Sequence, residues 1–517
     1  MHACPAEMNY AAHLIQLNAY LADKTAYIDD RRALSYAELA RGITQFAGLL
    51  RNLDIRREER ILLLMHDTID WPVAFLGALY AGVVPVAVNT LLTADDYAYM
   101  LRHSRSQAVF VSHALLPVLQ QALGQGAHDV KHIVVSQADQ GLAHPCQSLD
   151  TLMAAAQPAV AACPTLSDEI AFWLYSSGST GQPKGVVHTH ANLWHTAELY
   201  GKPILGLQES DVVFSAAKLF FAYGLGNGLT FPLSVGATTI LMAERPTPDA
   251  VFQRLTRHRP TVFCGVPTLY ASMLASASLP ARELVSLRIC ASAGEALPRD
   301  LGIRFQQHFG CDILDGIGST EMLHIFLSNQ PGHIHYGTTG KPVPGYEVDL
   351  RDESGQPVAA GAIGDLYIKG PSSALMYWNN RVKSLETFQG AWLKSGDKYV
   401  CDAEGYYTYA GRSDDMIKVS GQYVSPIEVE NMLVQHECVL EAAVIGVPDD
   451  DGLTKTLAYV VLREGRTGDL DTAHALQAYI KQHLAPFKYP RTIHFIDDLP
   501  KTATGKIQRF RLRQLNK

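Results

Sequence analysis

The sequence has few cysteines and no pair of them at C-x-x-C spacing. The eight present (Cys4, Cys146, Cys163, Cys264, Cys290, Cys311, Cys401 and Cys438) are scattered along the chain. That argues against a structural zinc site or a disulfide framework, and it suits a reducing cytoplasm. There is also no long basic run, and the net charge is −8. Non-specific nucleic-acid binding is therefore not expected. The first residues, Met1-His-Ala-Cys-Pro-Ala-Glu7, lack a charged start followed by an apolar core, so no signal peptide is expected. A clean membrane span is missing as well. Trp71 to Ala94 carries no charge, but Pro72 suits a helix start and Gly82 a helix stop. Val83-Val-Pro-Val-Ala-Val88 then reads as a separate buried strand, so no membrane partner is expected.

What is present is ordinary globular composition, with 47% hydrophobic and 18% charged residues over 517 positions, too long for one core. Apolar runs at Thr25–Ile28, Arg60–Met65 and Ala108–Ser112 alternate with helical patterns, one of which starts at Ser35 with Glu38 placed for a capping box. The alternation predicts an α/β fold whose large N-terminal domain, residues 1–413, is built on parallel sheets. Residues 138–168 read as a surface connection. From about 340 to 413 the texture shifts to short strands and turns, a small β-rich subdomain. Residues 414–517 read as a separate small α+β domain, with a helix from Pro426 and strands near 441–445, 457–461 and 491–496.

The most informative stretch is Tyr175-Ser-Ser-Gly-Ser-Thr-Gly-Gln-Pro-Lys-Gly185, with three glycines, four small hydroxyl side chains and one lysine in eleven residues. Such a turn can offer backbone N–H groups to a phosphate, with Lys184 as a point charge. It is not a Walker A loop, because Lys184 lies between Pro183 and Gly185. Several further strands end in small polar turns, at Gly265-Val-Pro267, Ala293-Gly-Glu-Ala296 and Gly318-Ser-Thr-Glu321, where an open α/β sheet places its ligands. Glu321 is suited to Mg²⁺, and Asp397 to ribose hydroxyls. Ser215–Gly228 joins bulky rings to glycines and reads as a slot for a flat apolar group, or as a core helix with tight packing. His188, His190 and His195 cluster without an acidic or cysteine partner at ligand spacing; helix-starting and packing roles fit them better than a metal.

Tyr175–Gly185 closely resembles the phosphate loop of the adenylate-forming superfamily, which includes acyl-CoA synthetases, luciferases and peptide-synthetase adenylation domains. The rest of the chain follows that family's motif order. The resemblance assigns Ser176, Ser177, Gly178, Ser179, Thr180, Gly181 and Lys184 to the ATP phosphates. It assigns Gly294, Glu295 and Ala296 to the adenine side, with Asp315, Gly316 and Ile317 in the same nucleotide site. It implies Thr320 on the α-phosphate, Glu321 and Thr180 on Mg²⁺, and Asp397 and Arg412 on the ribose. Asp414 would be the hinge, and Gly421 would line the channel for the thiol of coenzyme A. Lys506, which alone would read as a surface charge, would be the catalytic lysine. Two positions depart from the general pattern: Ile317 stands where the adenine-stacking tyrosine is common, and Phe221 where a histidine is common. Both resemble the benzoate–CoA ligase branch, which implies a ring slot lined by Phe221, Ala222, Tyr223, Gly318, His324 and Ile325.

The activity so implied is ATP-dependent joining of a small aromatic carboxylic acid to coenzyme A through an aryl-AMP. Benzoate and its hydroxy and amino derivatives differ by one polar atom and stay open, as does the oligomeric state, a homodimer included. Two rivals also stay open: an enzyme loading an aryl group onto a carrier-protein thiol, and a non-catalytic nucleotide-binding module.

Overall fold

The computed structural model describes residues 3–138, 142–176, 182–413, 415–419, 422–448, 454–485, 488–501 and 507–515. These fall into two compact units, residues 1–347 with 369–393, and residues 348–368 with 394–517.

Two large sheets make the first unit. In one, strands Arg60–Leu64, Val84–Ala87, Ala108–Ser112, His132–Ser136 and Ile170–Ser176 run parallel, as the alternation of strands and helices predicts. The first three are almost wholly buried along their length, which is why they read as continuous apolar runs rather than as alternating ones. Lys184–Thr189 turns back antiparallel onto Ile170–Ser176, and the two-residue strand Met376–Tyr377 closes that edge. The other sheet runs parallel through Thr25–Ile28, Thr238–Ile240, Val212–Ser215, Val262–Gly265, Ile289–Ser292 and Ile313–Gly318. Ile325–Ser328 then adds antiparallel beside Ile313–Gly318.

Local signals set the helix ends. Ser35 accepts from the Glu38 N–H at 3.2 Å while Glu38 accepts from the Ser35 N–H at 2.8 Å, a reciprocal cap on helix Tyr36–Asn52. Gly82, at φ 71°, stops helix Asp70–Ala81, so the uncharged stretch is a helix followed by a strand. Among the described residues no helix is long and apolar enough to cross a membrane. One expectation is corrected. The region 138–168 is more than a connection: Cys146–Ser148 pairs with His132–Ser136, and Ser148 caps a helix, Leu149–Ala155. Leu149 is buried in the main core, and that tertiary contact organises an alanine-rich run with no strong pattern of its own.

The second unit opens with strands Glu347–Arg351, Ile363–Lys369, Trp392–Cys401 and Tyr407–Arg412 in one sheet. Helix Pro426–Gln435 follows, and then strands Val439–Pro448, Thr454–Leu462 and Thr492–Phe495 in a three-stranded sheet, with helix Leu470–His483. Val429, Leu433, Val444, Val460, Leu476 and Ile480 form its core.

Candidate active site

The first unit gathers three groups of the expected residues. At the start of the hydroxyl-rich turn, Ser176 and Lys184 lie opposite each other on paired strands. Ser176 donates to Glu321 Oε1 at 3.2 Å, and Lys184 Nζ lies 3.8 Å from the same oxygen. Segments far apart in sequence thus meet at one carboxylate. A fourth member was not anticipated from sequence: Tyr377 donates its hydroxyl to Glu321 Oε1 at 2.8 Å and accepts from Lys184 Nζ at 3.3 Å. The Lys184 ammonium also lies 4.4 Å from the Tyr377 ring centroid. Tyr377 reaches this corner because it pairs with Val186, two residues beyond Lys184. Nothing in the local sequence around Met376-Tyr377-Trp378 signals this; strand pairing alone finds it. Ser177, Gly178, Ser179, Thr180 and Gly181 lie outside the described residues.

The second group surrounds Asp315. Its strand neighbour is Ser292, and the turn through Gly294, Glu295 and Ala296 returns so that the Leu297 N–H reaches Asp315 Oδ2 at 3.5 Å. Gly294 has φ 94°, a backbone that favours glycine. Burial pushes the Asp315 carboxyl well above the usual carboxylate range. Gly316, Ile317 and Gly318 then form a hairpin with Ile325–Ser328. A side chain at Gly318 would put its Cβ 2.5 Å from the His324 carbonyl oxygen, so the close approach requires glycine.

The third group is aromatic. His324 sits with its ring centroid 5.6 Å from Tyr223, 5.1 Å from Tyr200 and 4.5 Å from Phe231. Its Nε2 faces the Tyr223 carbonyl at 3.4 Å, and burial holds its pKa down at about 3, so the ring is neutral. Gly226 backs directly onto the imidazole, its notional Cβ falling 2.3 Å from His324 Cδ2. Ala222 and Ile325 are buried beside these elements, whereas Phe221 is 37% exposed and packs on Phe220 at 4.6 Å. Tyr200 was not expected from sequence; it arrives from a helical segment over a hundred residues before His324.

Of the three histidines near the turn, His190 opens a helix. Thr189 caps helix His190–Thr196, and His190 Nδ1 accepts from the Tyr10 N–H at 3.3 Å.

In the second unit Asp397 and Arg412 face each other across paired strands, Oδ1 to Nη1 at 3.1 Å. Ser413 donates to Asp365 at 2.8 Å, while Asp415 is paired with Arg513 at 2.7 Å. Asp414, Gly421 and Lys506 lie outside the described residues.

Ser176 and Lys184, on either side of the hydroxyl-rich stretch, meeting Glu321 of a Gly-Ser-Thr-Glu segment define a class, and the family of AMP-binding enzymes matches residues 16–378. The AMP-binding enzyme C-terminal domain matches residues 428–506. Among individual proteins, the chain is 57% identical to a benzoate–CoA ligase of Thauera aromatica, over 98% of this chain and 96% of that one. It is 48% identical to a 4-hydroxybenzoate–CoA/benzoate–CoA ligase of Rhodopseudomonas palustris, over 95% and 91%. The crystal structure of a benzoate CoA ligase from Burkholderia xenovorans LB400 superposes with a TM-score of 0.90 at 62% identity, covering 98% of this chain and 100% of that one. The chain belongs to the benzoate–CoA ligase family of AMP-binding enzymes.

Proposed function

We propose that this chain is an AMP-forming aryl acid–CoA ligase whose substrate is benzoate or a ring-substituted benzoate. The observation that carries the reading is the meeting of Ser176, Lys184 and Tyr377 at Glu321, in a chain 57% identical to a benzoate–CoA ligase.

A carboxylate is a poor electrophile because its leaving group would be oxide. Attack of the carboxylate oxygen on the α-phosphorus of ATP expels pyrophosphate and gives an aryl-AMP. Attack of the thiol of coenzyme A on that carbonyl then expels AMP and leaves the thioester. The first step brings an anion to a polyanion, so it depends on charge neutralisation. Lys184 and the hydroxyl-rich turn, Ser176 to Gly181, serve the outer phosphates, Thr320 the α-phosphate, and Lys506 the approaching carboxylate. Gly294 to Ala296 and Asp315 to Ile317 border the adenine, and Asp397 and Arg412 the ribose. The described neighbours of Glu321 are two hydroxyls and an ammonium. A carboxylate among oxygen donors fits Mg²⁺, which would be held by Glu321 with Thr180 and would supply charge neutralisation when bound.

The thiol must approach from a different side, so Lys506 has to withdraw. We place the pivot at Asp414, between an N-terminal domain ending at 413 and a C-terminal domain from 414. The polar partners on either side support that position: Ser413 is tied back to Asp365 in the β-rich sheet, and Asp415 to Arg509 and Arg513 in the C-terminal segment. Rotation there would present Gly421 to coenzyme A. Eight free thiols support a reducing cytoplasmic setting, and the net charge of −8 argues against nucleic acid as a partner.

Ala222, Tyr223, Gly318, His324 and Ile325, with Phe221 at the outer edge, line the ring slot. One observation favours a hydroxylated or aminated ring over plain benzoate: the buried Tyr223 hydroxyl and His324 Nδ1 have no hydrogen-bond partner among the described residues. Because His324 Nε2 donates to a carbonyl, Nδ1 is an acceptor and would meet a donor on the ring. A pyrophosphate-release panel over benzoate, 4-hydroxybenzoate, 3-hydroxybenzoate and 2-aminobenzoate, with coenzyme A present, tests both readings. Preference for a simple fatty acid would overturn the aryl assignment, and failure to use free coenzyme A would move the acceptor to a carrier-protein thiol.

A further inference from the structure

The Thr320–Glu321 peptide is gripped from outside its own loop. The Thr320 carbonyl accepts from the Leu323 N–H at 3.2 Å and, more closely, from His188 Nε2 at 2.8 Å. His188 lies four residues beyond Lys184 on the same strand, fully buried and stacked on Phe172 at 5.1 Å. A carbonyl can only accept, so Nε2 carries the hydrogen and Nδ1 of the neutral ring is an acceptor. Asn192 supplies its donor, Nδ2 to Nδ1 at 2.8 Å.

Asn192 is itself fully used. Its Nδ2 also donates to the Ser373 carbonyl at 3.2 Å, and its Oδ1 accepts from the Thr189 hydroxyl at 2.9 Å. The residue after Ser373 completes the circuit, because the Ala374 N–H donates to the Glu321 carbonyl at 2.7 Å. One buried pair of side chains therefore fixes the carbonyl on one side of Glu321 and the segment that fixes the carbonyl on the other. The far end of Glu321, its carboxylate, is held separately by Ser176 and Tyr377.

A packing residue does not need this wiring. His188 follows Val186 and Val187 on a strand in contact with the core, where an aliphatic side chain would pack without desolvation cost. Burial lowers its pKa to about 4, a measure of how poorly the site would tolerate a charged ring. A buried polar pair kept with every hydrogen bond made is positional machinery when its outermost bond ends on the backbone of a site residue.

We infer that His188 and Asn192 are positioning residues for aryl-AMP formation, holding the Thr320–Glu321 backbone in register with the phosphate turn. The inference rests on the function proposed above, in which Thr320 and Glu321 serve the first half-reaction.

The test separates the half-reactions. Benzoate-dependent exchange of pyrophosphate into ATP reads the first, and thioester formation from supplied benzoyl-AMP and coenzyme A reads the second. His188→Leu removes the donor to Thr320. It is expected to lower the exchange kcat roughly 10- to 100-fold, with the KM for ATP and benzoate and the second half-reaction changed by less than about threefold. His188→Gln keeps an amide donor and is expected to recover most of the loss. Asn192→Ala, which keeps the imidazole but removes its orienting partner, is expected to lower exchange alone and by less. The inference is overturned if His188→Gln is no better than His188→Leu, if both half-reactions fall together, or if neither falls. If His188→Leu does not fold, His188→Gln and Asn192→Ala carry the same comparison against wild type. Wild-type protein that shows no exchange with any aryl acid would instead remove the ligase reading beneath it.

Discussion

Replacing Tyr377 with phenylalanine removes one oxygen from the centre of the phosphate corner and little else. The ring stays beneath Lys184, and the backbone pairing with Val186 is untouched. The hydrogen bonds lost include one to the Glu321 carboxylate at 2.8 Å and one from the Lys184 ammonium at 3.3 Å. A hydrogen bond to a charged group contributes roughly 1.5–3 kcal/mol when buried. Here the Glu321 and Lys184 side chains keep 14% and 17% of their exposure, and Ser176 still holds the carboxylate, so the sum discounts to about 1–2 kcal/mol. At about 1.4 kcal/mol per tenfold, benzoate-dependent pyrophosphate exchange should fall roughly 5- to 30-fold in Tyr377→Phe. Thioester formation from supplied benzoyl-AMP should change by less than about threefold. Tyr377→Leu also removes the cation–π contact, about 0.5–1 kcal/mol more, and should lose a further few-fold in exchange. Exchange at the wild-type rate in the phenylalanine variant would refute the argument, and so would an equal loss in both half-reactions.

Other outcomes follow from the proposed function and from the described contacts. Lys506→Ala should abolish aryl-AMP formation while sparing thioester formation from supplied aryl-AMP; loss of both in equal measure would remove the role given to that lysine. Gly226→Ala would place a methyl 2.3 Å from His324 Cδ2 and 2.8 Å from Phe231. Overpacking of that kind costs about 1–3 kcal/mol, so kcat/KM for the aryl acid should fall roughly 5- to 150-fold with the KM for ATP unmoved, and an unchanged kcat/KM for the aryl acid would contradict the slot. His190 is buried and its pKa is lowered to about 4, so the folded protein takes up its proton later than the unfolded chain as pH falls. The stability this represents is complete above about pH 6.5 and is lost on acidification towards 4, roughly 2–3 kcal/mol by pH 4.5. Urea unfolding of His190→Gln should therefore weaken less than wild type between pH 7 and 4.5, by about that amount; parallel losses would contradict it. Comparing variant with wild type cancels the opposing contribution of Asp67, whose buried carboxyl is raised to about 6 and which adds stability as pH falls below that value.

Much of this protein is written locally. The capping box at Ser35 and Glu38, the helix stop at Gly82 and the alternation of apolar runs with helical patterns depend on contacts a few residues apart, so spacing alone reveals them. The hydroxyl-rich turn and the Gly-Ser-Thr-Glu segment are legible for the same reason, since each carries its chemistry within a dozen residues. The tertiary structure decided what those pieces face. Tyr377 has no local signature, and it becomes part of the site only because its two-residue strand pairs with the strand that carries Lys184. His188 looks like one of three clustered histidines until Thr320, Asn192 and Ser373 are brought around it. Tyr200 and Phe231 meet His324 by crossing from two separate helical segments to a hairpin. Sequence determined the elements and their chemical groups, because those follow from neighbours along the chain. The partners of each group follow from sheet order and register, which couple residues more than a hundred positions apart and leave no period in the sequence to read.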